Sequence, residues 1–110
     1  MEERKRVLFV CSANTCRSAV AEAILREYGG GRYDVSSAGM FATAGEPMMQ
    51  ECADALSILF GHPVSAYAHR SARLTAEMMK ENDSIVAVSE SYASMLRSHF
   101  PACAAKITAF

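Results

Sequence analysis

A three-layer α/β fold, a parallel sheet with helices on both faces, follows from three features of this 110-residue sequence. Apolar runs of strand length alternate with segments of helical period, which is the pattern of strand-helix-strand crossovers. The runs are continuous, as in strands covered on both sides. Glycine and proline punctuate the junctions.

The first run, Val7-Leu8-Phe9-Val10, is rich in strand formers and predicts a buried strand over 6–10. From Ser18, a candidate cap, Val20, Ala23 and Ile24 recur at helical spacing until Gly29-Gly30-Gly31 stops the helix near Tyr28. A second strand is expected over 32–36, then a loop from Gly39 to Gly45. Pro47 suits the first turn of the longest helix, with Met48, Cys52, Leu56, Leu59 and Phe60 on its apolar face and Gly61 just past its end. Residues 62–71 read as loop, and Thr75 caps a short helix to Glu81. Ile85-Val86-Ala87-Val88 is the third strand. Ser89 or Ser91 opens a helix carrying Tyr92, Met95, Leu96 and Phe100, which Pro101 ends, and 106–110 form a fourth strand.

The length suits one domain over 1–110, and 51% hydrophobic against 21% charged residues offsets chain entropy and argues against disorder. Eleven basic against twelve acidic residues leave a formal charge of −1, so no basic field favours nucleic acid. The charged start Met1–Arg6 followed by apolar Val7–Cys11 imitates a secretory signal, but five residues are too few for its apolar core. With no run near the roughly 20 residues of a bilayer span, no membrane partner is expected and a cytoplasmic address is the default. In that reducing compartment Cys11, Cys16, Cys52 and Cys103 are read as catalytic or inert thiols rather than structural disulfides. Cys52 belongs to a packed helix face and Cys103 to a loop.

In parallel sheets ligands bind beyond the carboxyl ends of the strands, which directs attention to Cys11-Ser12-Ala13-Asn14-Thr15-Cys16-Arg17-Ser18. A short loop of small and polar residues curling into a helix start turns successive backbone N–H groups inward and makes a nest for a tetrahedral anion such as phosphate or sulfate. Arg17 can close the nest with a bidentate guanidinium contact. Such donors favour the thiolate of Cys11, which becomes an in-line nucleophile. Zinc at Cys11 and Cys16 is disfavoured because no second Cys or His pair follows, and neither a metal nor a cofactor is expected.

In these residues the chain resembles the low-molecular-weight protein tyrosine phosphatase family, whose motif C-x5-R-S follows the first strand. The resemblance continues through Ala21-Glu22-Ala23, Ser37-Ala38-Gly39, Gly45-x-Pro47, His69 to Thr75 and Phe100-Pro101. It implies a flavodoxin-like sheet in the order 2-1-3-4 and hydrolysis of a phosphorylated protein side chain, or a small aryl phosphate, through a phosphocysteine on Cys11. It further implies that Asn14 braces the loop, Ser18 donates to the thiolate, Ser37 and His69 support both, and Cys16 traps Cys11 as a reversible disulfide. Phosphotyrosine is the leading substrate. Thr15, which stands where tyrosine phosphatases tend to carry a bulky aliphatic residue, resembles the protein arginine phosphatase branch. Phe41 is a candidate wall of the substrate cleft.

The family's general acid, an aspartate before proline, has no counterpart here, since Asp34, Asp54 and Asp83 are each followed by another residue. Its last helix is likewise missing, so the expected fold is C-terminally truncated. Two expectations follow. Turnover is slow and biased towards acidic leaving groups, because an absent acid forfeits on the order of 10²- to 10⁴-fold. The uncovered sheet face beside the first helix favours a homo-oligomer. Arsenate reduction is marked down, as Ser89 and Ser91 stand where resolving cysteines would be needed. A non-catalytic phospho-residue binding module is the alternative from another class.

Overall fold

The computed structural model describes residues 4–29 and 31–110. Met1 to Glu3 and Gly30, the middle of the triple glycine, lie outside the described residues. The elements run in chain order as β1 (Lys5–Cys11), α1 (Arg17–Tyr28), β2 (Tyr33–Gly39), α2 (Gln50–Phe60), α3 (Ala76–Glu81), β3 (Ser84–Ala87), α4 (Glu90–His99) and β4 (Ile107–Ala109). All pairings are parallel and the strand order is β2-β1-β3-β4. This is the architecture the alternation of patterns and the resemblance imply.

β1 is central and is buried from Val7 to Cys11, which is why its sequence is a continuous apolar run. Its register aligns Cys11 with Gly39 of β2 and Val10 with Ala87 of β3, so the carboxyl ends of three strands meet beside the cysteine. Successive side chains point to opposite faces. Leu8, Val10, Ile85, Ala87 and Ile107 pack with Met79 of α3 and with Ala93 and Leu96 of α4. A second cluster, Ala19, Met48, Ala53, Leu56 and Ala66, joins α1 to α2.

Several boundaries differ from those read in the sequence. Ser18 does not cap α1: the helix begins at Arg17 with Cys16 at the N-cap position, and the Ser18 hydroxyl is taken up by the loop before it. Pro47 does not open α2, because the backbone N–H groups of Met48 and Met49 donate to Ala66 at 3.0 Å and Thr15 at 2.8 Å, holding that stretch extended until Gln50. With 11 residues α2 is then shorter than α1 with 12. Its buried positions are Ala53 and Leu56; Leu59 is turned to solvent at 55% exposure. Gly61 does cap it, at φ 75° in the left-handed region that glycine adopts without a Cβ penalty.

Thr75 and Ser89 cap α3 and α4 by accepting from the N–H groups of Met78 and Tyr92. The stretch read as loop over 62–71 contains a single 3₁₀ turn, Ala66–Ala68, and another, Pro101–Lys106, occupies the start expected for the last strand. β2 runs on to Gly39, three residues further than its apolar pattern suggests, because Ser37 and Ala38 pair with Phe9 and Val10. No helix among the described residues is long and apolar enough to cross a membrane.

Candidate active site

The loop between β1 and α1 is built around one buried polar residue. Asn14 adopts φ +60°, a left-handed conformation that asparagine tolerates better than most residues, and its side chain is fully buried. Every part of it is used. Its Nδ2 donates to Ser18 Oγ and to Ser37 Oγ, both at 2.8 Å, and its Oδ1 accepts from the Ala72 N–H at 2.9 Å. Its carbonyl oxygen receives the His69 Nε2 proton at 2.6 Å. Its own N–H points at Cys11 Sγ, 3.2 Å away.

The sulfur has a second partner in Ser18 Oγ at 2.8 Å. Because that oxygen already accepts from Asn14, its proton is free to be donated to the sulfur. The chain continues outward: Ser37 accepts from Asn14 and donates to the Glu22 carboxylate, which is also paired with Arg26. Ser18, Glu22 and Arg26 lie four residues apart on one face of α1, so the helix sets the spacing of this relay. The hydrogen-bonded chain thus ends in two donors on Cys11, which fix the position of its sulfur at the end of β1.

A close approach of backbones completes the floor. Gly39 sits so tightly under the loop that a Cβ would lie 2.5 Å from the Ser12 carbonyl oxygen and 2.9 Å from the Ala13 carbonyl carbon. Met40 and Phe41 donate to the Cys11 and Ser12 carbonyls at 2.8 and 2.9 Å, fixing the loop against the end of β2. The Phe41 ring is 67% exposed.

The residues expected to surround an anion thus come together around Cys11: Asn14 and Ser18 in contact with the sulfur, Ser37 and His69 one bond further out. Ser12 carries Tyr92 on its hydroxyl, and Thr15 accepts the Met49 N–H through its carbonyl. Ala13 is exposed. Arg17 is exposed at the start of α1, with its guanidinium carbon 5.7 Å from the centre of the Tyr92 ring. Asp34, Asp54 and Asp83 are occupied elsewhere, by Arg4, Gln50 and the Arg6 N–H. No group of three or more His, Cys, Asp or Glu among the described residues could hold a metal ion.

The role inferred for Cys16 is corrected. It is disulfide-bonded to Cys52 of α2, with the two Cα atoms 6.1 Å apart, so it is committed away from Cys11, and Cys52 is more than helix packing. Both the redox reading of the cysteines and the partner assigned to Cys16 change, because the extended segment before α2 brings Cys52 under the helix start. The sequence offered no signal for the pair, since the two cysteines stand 36 residues apart. Two further residues are placed at the site by the fold. Glu22 could be anticipated from its i+4 relation to Ser18. Tyr92 could not, because its helical spacing marked it only as core. Its phenol is held below the ordinary tyrosine range by the Ser12 hydrogen bond and by Arg17, against an opposing contribution from burial.

The family model for the low molecular weight phosphotyrosine protein phosphatases matches residues 6–110. The chain belongs to that family. It is 35% identical to a protein-arginine-phosphatase of Bacillus subtilis over 97 residues, 86% of this chain and 62% of that protein. It is 32% identical to the low molecular weight protein-tyrosine-phosphatase Etp of Escherichia coli K12 over 104 residues, 94% of this chain and 68% of that one. Among solved structures, the YwlE arginine phosphatase of Geobacillus stearothermophilus superposes with a TM-score of 0.87 at 32% identity, covering 96% of this chain and 66% of that one. The chain spans about three-fifths of the arginine phosphatases it matches, 62% in both.

Proposed function

We propose that the chain hydrolyses a phosphorylated amino-acid side chain of a protein, phosphotyrosine first, through a phosphocysteine on Cys11. The observation that carries this is the sulfur at the end of β1 with the Asn14 N–H and Ser18 hydroxyl directed at it. A sulfur so placed is an activated nucleophile. In this mechanism the phosphoryl group settles over the loop formed by Ser12, Ala13, Asn14, Thr15, Cys16 and Ser18. Arg17 swings from the Tyr92 ring to grip two equatorial oxygens. The sulfur attacks phosphorus in line with the departing oxygen, and water then releases phosphate. Ser37 and His69 act through Asn14, and Phe41 walls the cleft.

Phosphoarginine is a second substrate with specific support, in Thr15 and in the two arginine phosphatases of Bacillus and Geobacillus. The test uses 4-nitrophenyl phosphate, a phosphotyrosine peptide and a phosphoarginine peptide. Cys11→Ser is expected to abolish turnover of all three while inorganic phosphate still binds. Turnover that survives the substitution, or phosphate binding with no turnover by the parent chain, overturns the enzyme reading, the latter in favour of a binding module. Thr15→Val, which keeps the shape and removes the hydroxyl, is expected to lower phosphoarginine turnover more than phosphotyrosine turnover. An equal effect on both removes the second substrate.

The proposed partners are therefore a phosphorylated protein chain and, across an apolar groove beside α1, a second copy of this chain. That groove, of about 480 Å³, is lined by Phe9, Val20, Ile24, Leu25, Tyr28 and Phe110. Phe110 and Tyr28 are 66% and 58% exposed there, an apolar patch that favours association.

A further inference from the structure

The backbone that floors the nest also carries an apolar wall. Met40 and Phe41 are fixed by the Cys11 and Ser12 carbonyls, and Leu74 donates its N–H to the Gly39 carbonyl at 2.9 Å, so all three side chains stand on segments that touch the site. α4 supplies a second wall. Tyr92 donates its hydroxyl to Ser12 Oγ at 3.1 Å, and Met95, Leu96 and His99 follow it on the same stripe of the helix. Met40, Phe41 and Leu74 from the first wall and Met95, Leu96 and His99 from the second line one cavity of about 290 Å³. Resting on the phosphatase reading above, we propose that this cavity receives an apolar side chain of the protein substrate, two positions along from the phosphorylated residue seated over Cys11.

Three observations select that occupant. Both walls are anchored at Ser12, through its carbonyl to Phe41 and through its hydroxyl to Tyr92, so the cavity and the nest share a border. A chain bound at one reaches the other. At about 290 Å³ the cavity stands at the lower limit of small-molecule pockets, which suits a single large side chain. Among the described residues none that lines it is Lys, Arg, Asp or Glu, so a charged side chain would lose its water there without gaining a partner. An apolar one gains. Met95 is 38% exposed and Phe41 more so, which leaves the apolar surface open to an incoming chain.

Spacing sets the position. In an extended substrate successive side chains point to opposite sides, and residues two apart point the same way at a separation of roughly 6.6 Å. Along α4, Met95 and His99 stand roughly 4.5 and 10.5 Å beyond Tyr92. A residue two positions from the phosphorylated one falls inside that window. Its immediate neighbour faces away.

The test uses phosphotyrosine peptides flanked by serines, with a single leucine at −2, −1, +1 or +2. For the 110-residue chain, kcat/KM is expected to rise on the order of tenfold over the all-serine peptide with leucine at one of the two outer positions, and to stay level at −1 and +1. In Met95→Glu the advantage of leucine is expected to vanish and lysine at the same position to replace it. Each readout is a ratio between peptides on one variant, so a general loss of activity cancels. Cys11→Ser yields the same ratios as peptide affinities, without turnover. Peptides hydrolysed alike, leucine favoured only at −1 or +1, or a leucine advantage that persists in Met95→Glu overturns the proposal and leaves the cavity to another occupant. A parent chain without turnover, beside a Cys11→Ser chain that keeps the leucine preference, fails the phosphatase reading and retains the cavity as a peptide subsite.

Discussion

At the scale of single residues, Asn14 concentrates the most consequences. Replacing it with alanine removes the bonds to Ser18, Ser37 and the Ala72 N–H at once and puts a side chain that cannot bond locally into a left-handed backbone. Each buried group left unpaired costs about 1–3 kcal/mol. Asn14→Ala is therefore expected to lower the denaturation midpoint clearly and to cut kcat/KM by 10²-fold or more, as loss of a preorganised donor array does. A variant with parent-like melting and rates would show that the loop holds its shape without the brace. His62 is a contrasting case, far from the site. Its imidazole contacts the Glu27 carboxylate at 3.0 Å, and that bond, then the Pro63 carbonyl, raises its pKa above 6.5. The stability it adds is complete below the unfolded value near 6.5 and disappears as pH rises through the higher folded value. His62→Gln should accordingly fall behind the parent chain in chemical denaturation near pH 5 and match it near pH 9. Because the pair is exposed, the difference is small, and a gap that widens with pH contradicts this account.

At the scale of elements, the Cys16–Cys52 bond ties the N-terminus of α1 to α2 and closes 36 residues of separation. A cross-link of that span contributes on the order of 2–4 kcal/mol by restricting the unfolded chain. Reduction with a thiol, or Cys52→Ala, is expected to lower the melting temperature, and adding reductant to Cys52→Ala should lower it no further. An additive response would mean that the reductant acts elsewhere. These elements were legible in the sequence to different depths. The β1 run, the Thr75 cap and the helical stretches announce themselves because local pattern decides them, whereas Ser89 and Ser91 are equal candidates to open α4 until the fold shows the Ser89 side chain accepting the Tyr92 N–H. The start of α2 does not, since Met48 and Met49 spend their N–H groups on Ala66 and Thr15, partners that only the assembled chain supplies. For the same reason the extension of β2 to Gly39 follows from pairing with β1 and not from its own residues.

At the scale of the whole molecule, the site was legible where the loop is contiguous and illegible where the fold brings distant segments to it. Cys11 to Ser18 could be read as an anion nest from spacing and residue type, whereas Tyr92 lies 80 residues from Ser12 and resembled a core position. The remaining apolar face admits the same kind of argument. Val20, Leu25 and Tyr28 of α1 together with Phe9 and Phe110 line an open groove, and Phe110 meets Phe9 edge to face at 5.9 Å without closing it. Water against that much contiguous apolar surface is unfavourable by roughly 25 cal/mol per Å², and a second copy offers the same groove in return. Sedimentation at two concentrations should show a mass that rises with concentration. Leu25→Glu, which puts a charge into the groove without touching Cys11 or its hydrogen-bond partners, should return the chain to one mass at both concentrations. Arg17 lines the same groove about two turns of α1 before Leu25, so inorganic phosphate affinity is measured alongside the mass, and a loss of affinity assigns the effect to Arg17. A parent chain of single mass at both concentrations, or a Leu25→Glu variant that still associates, would move the contact to another face.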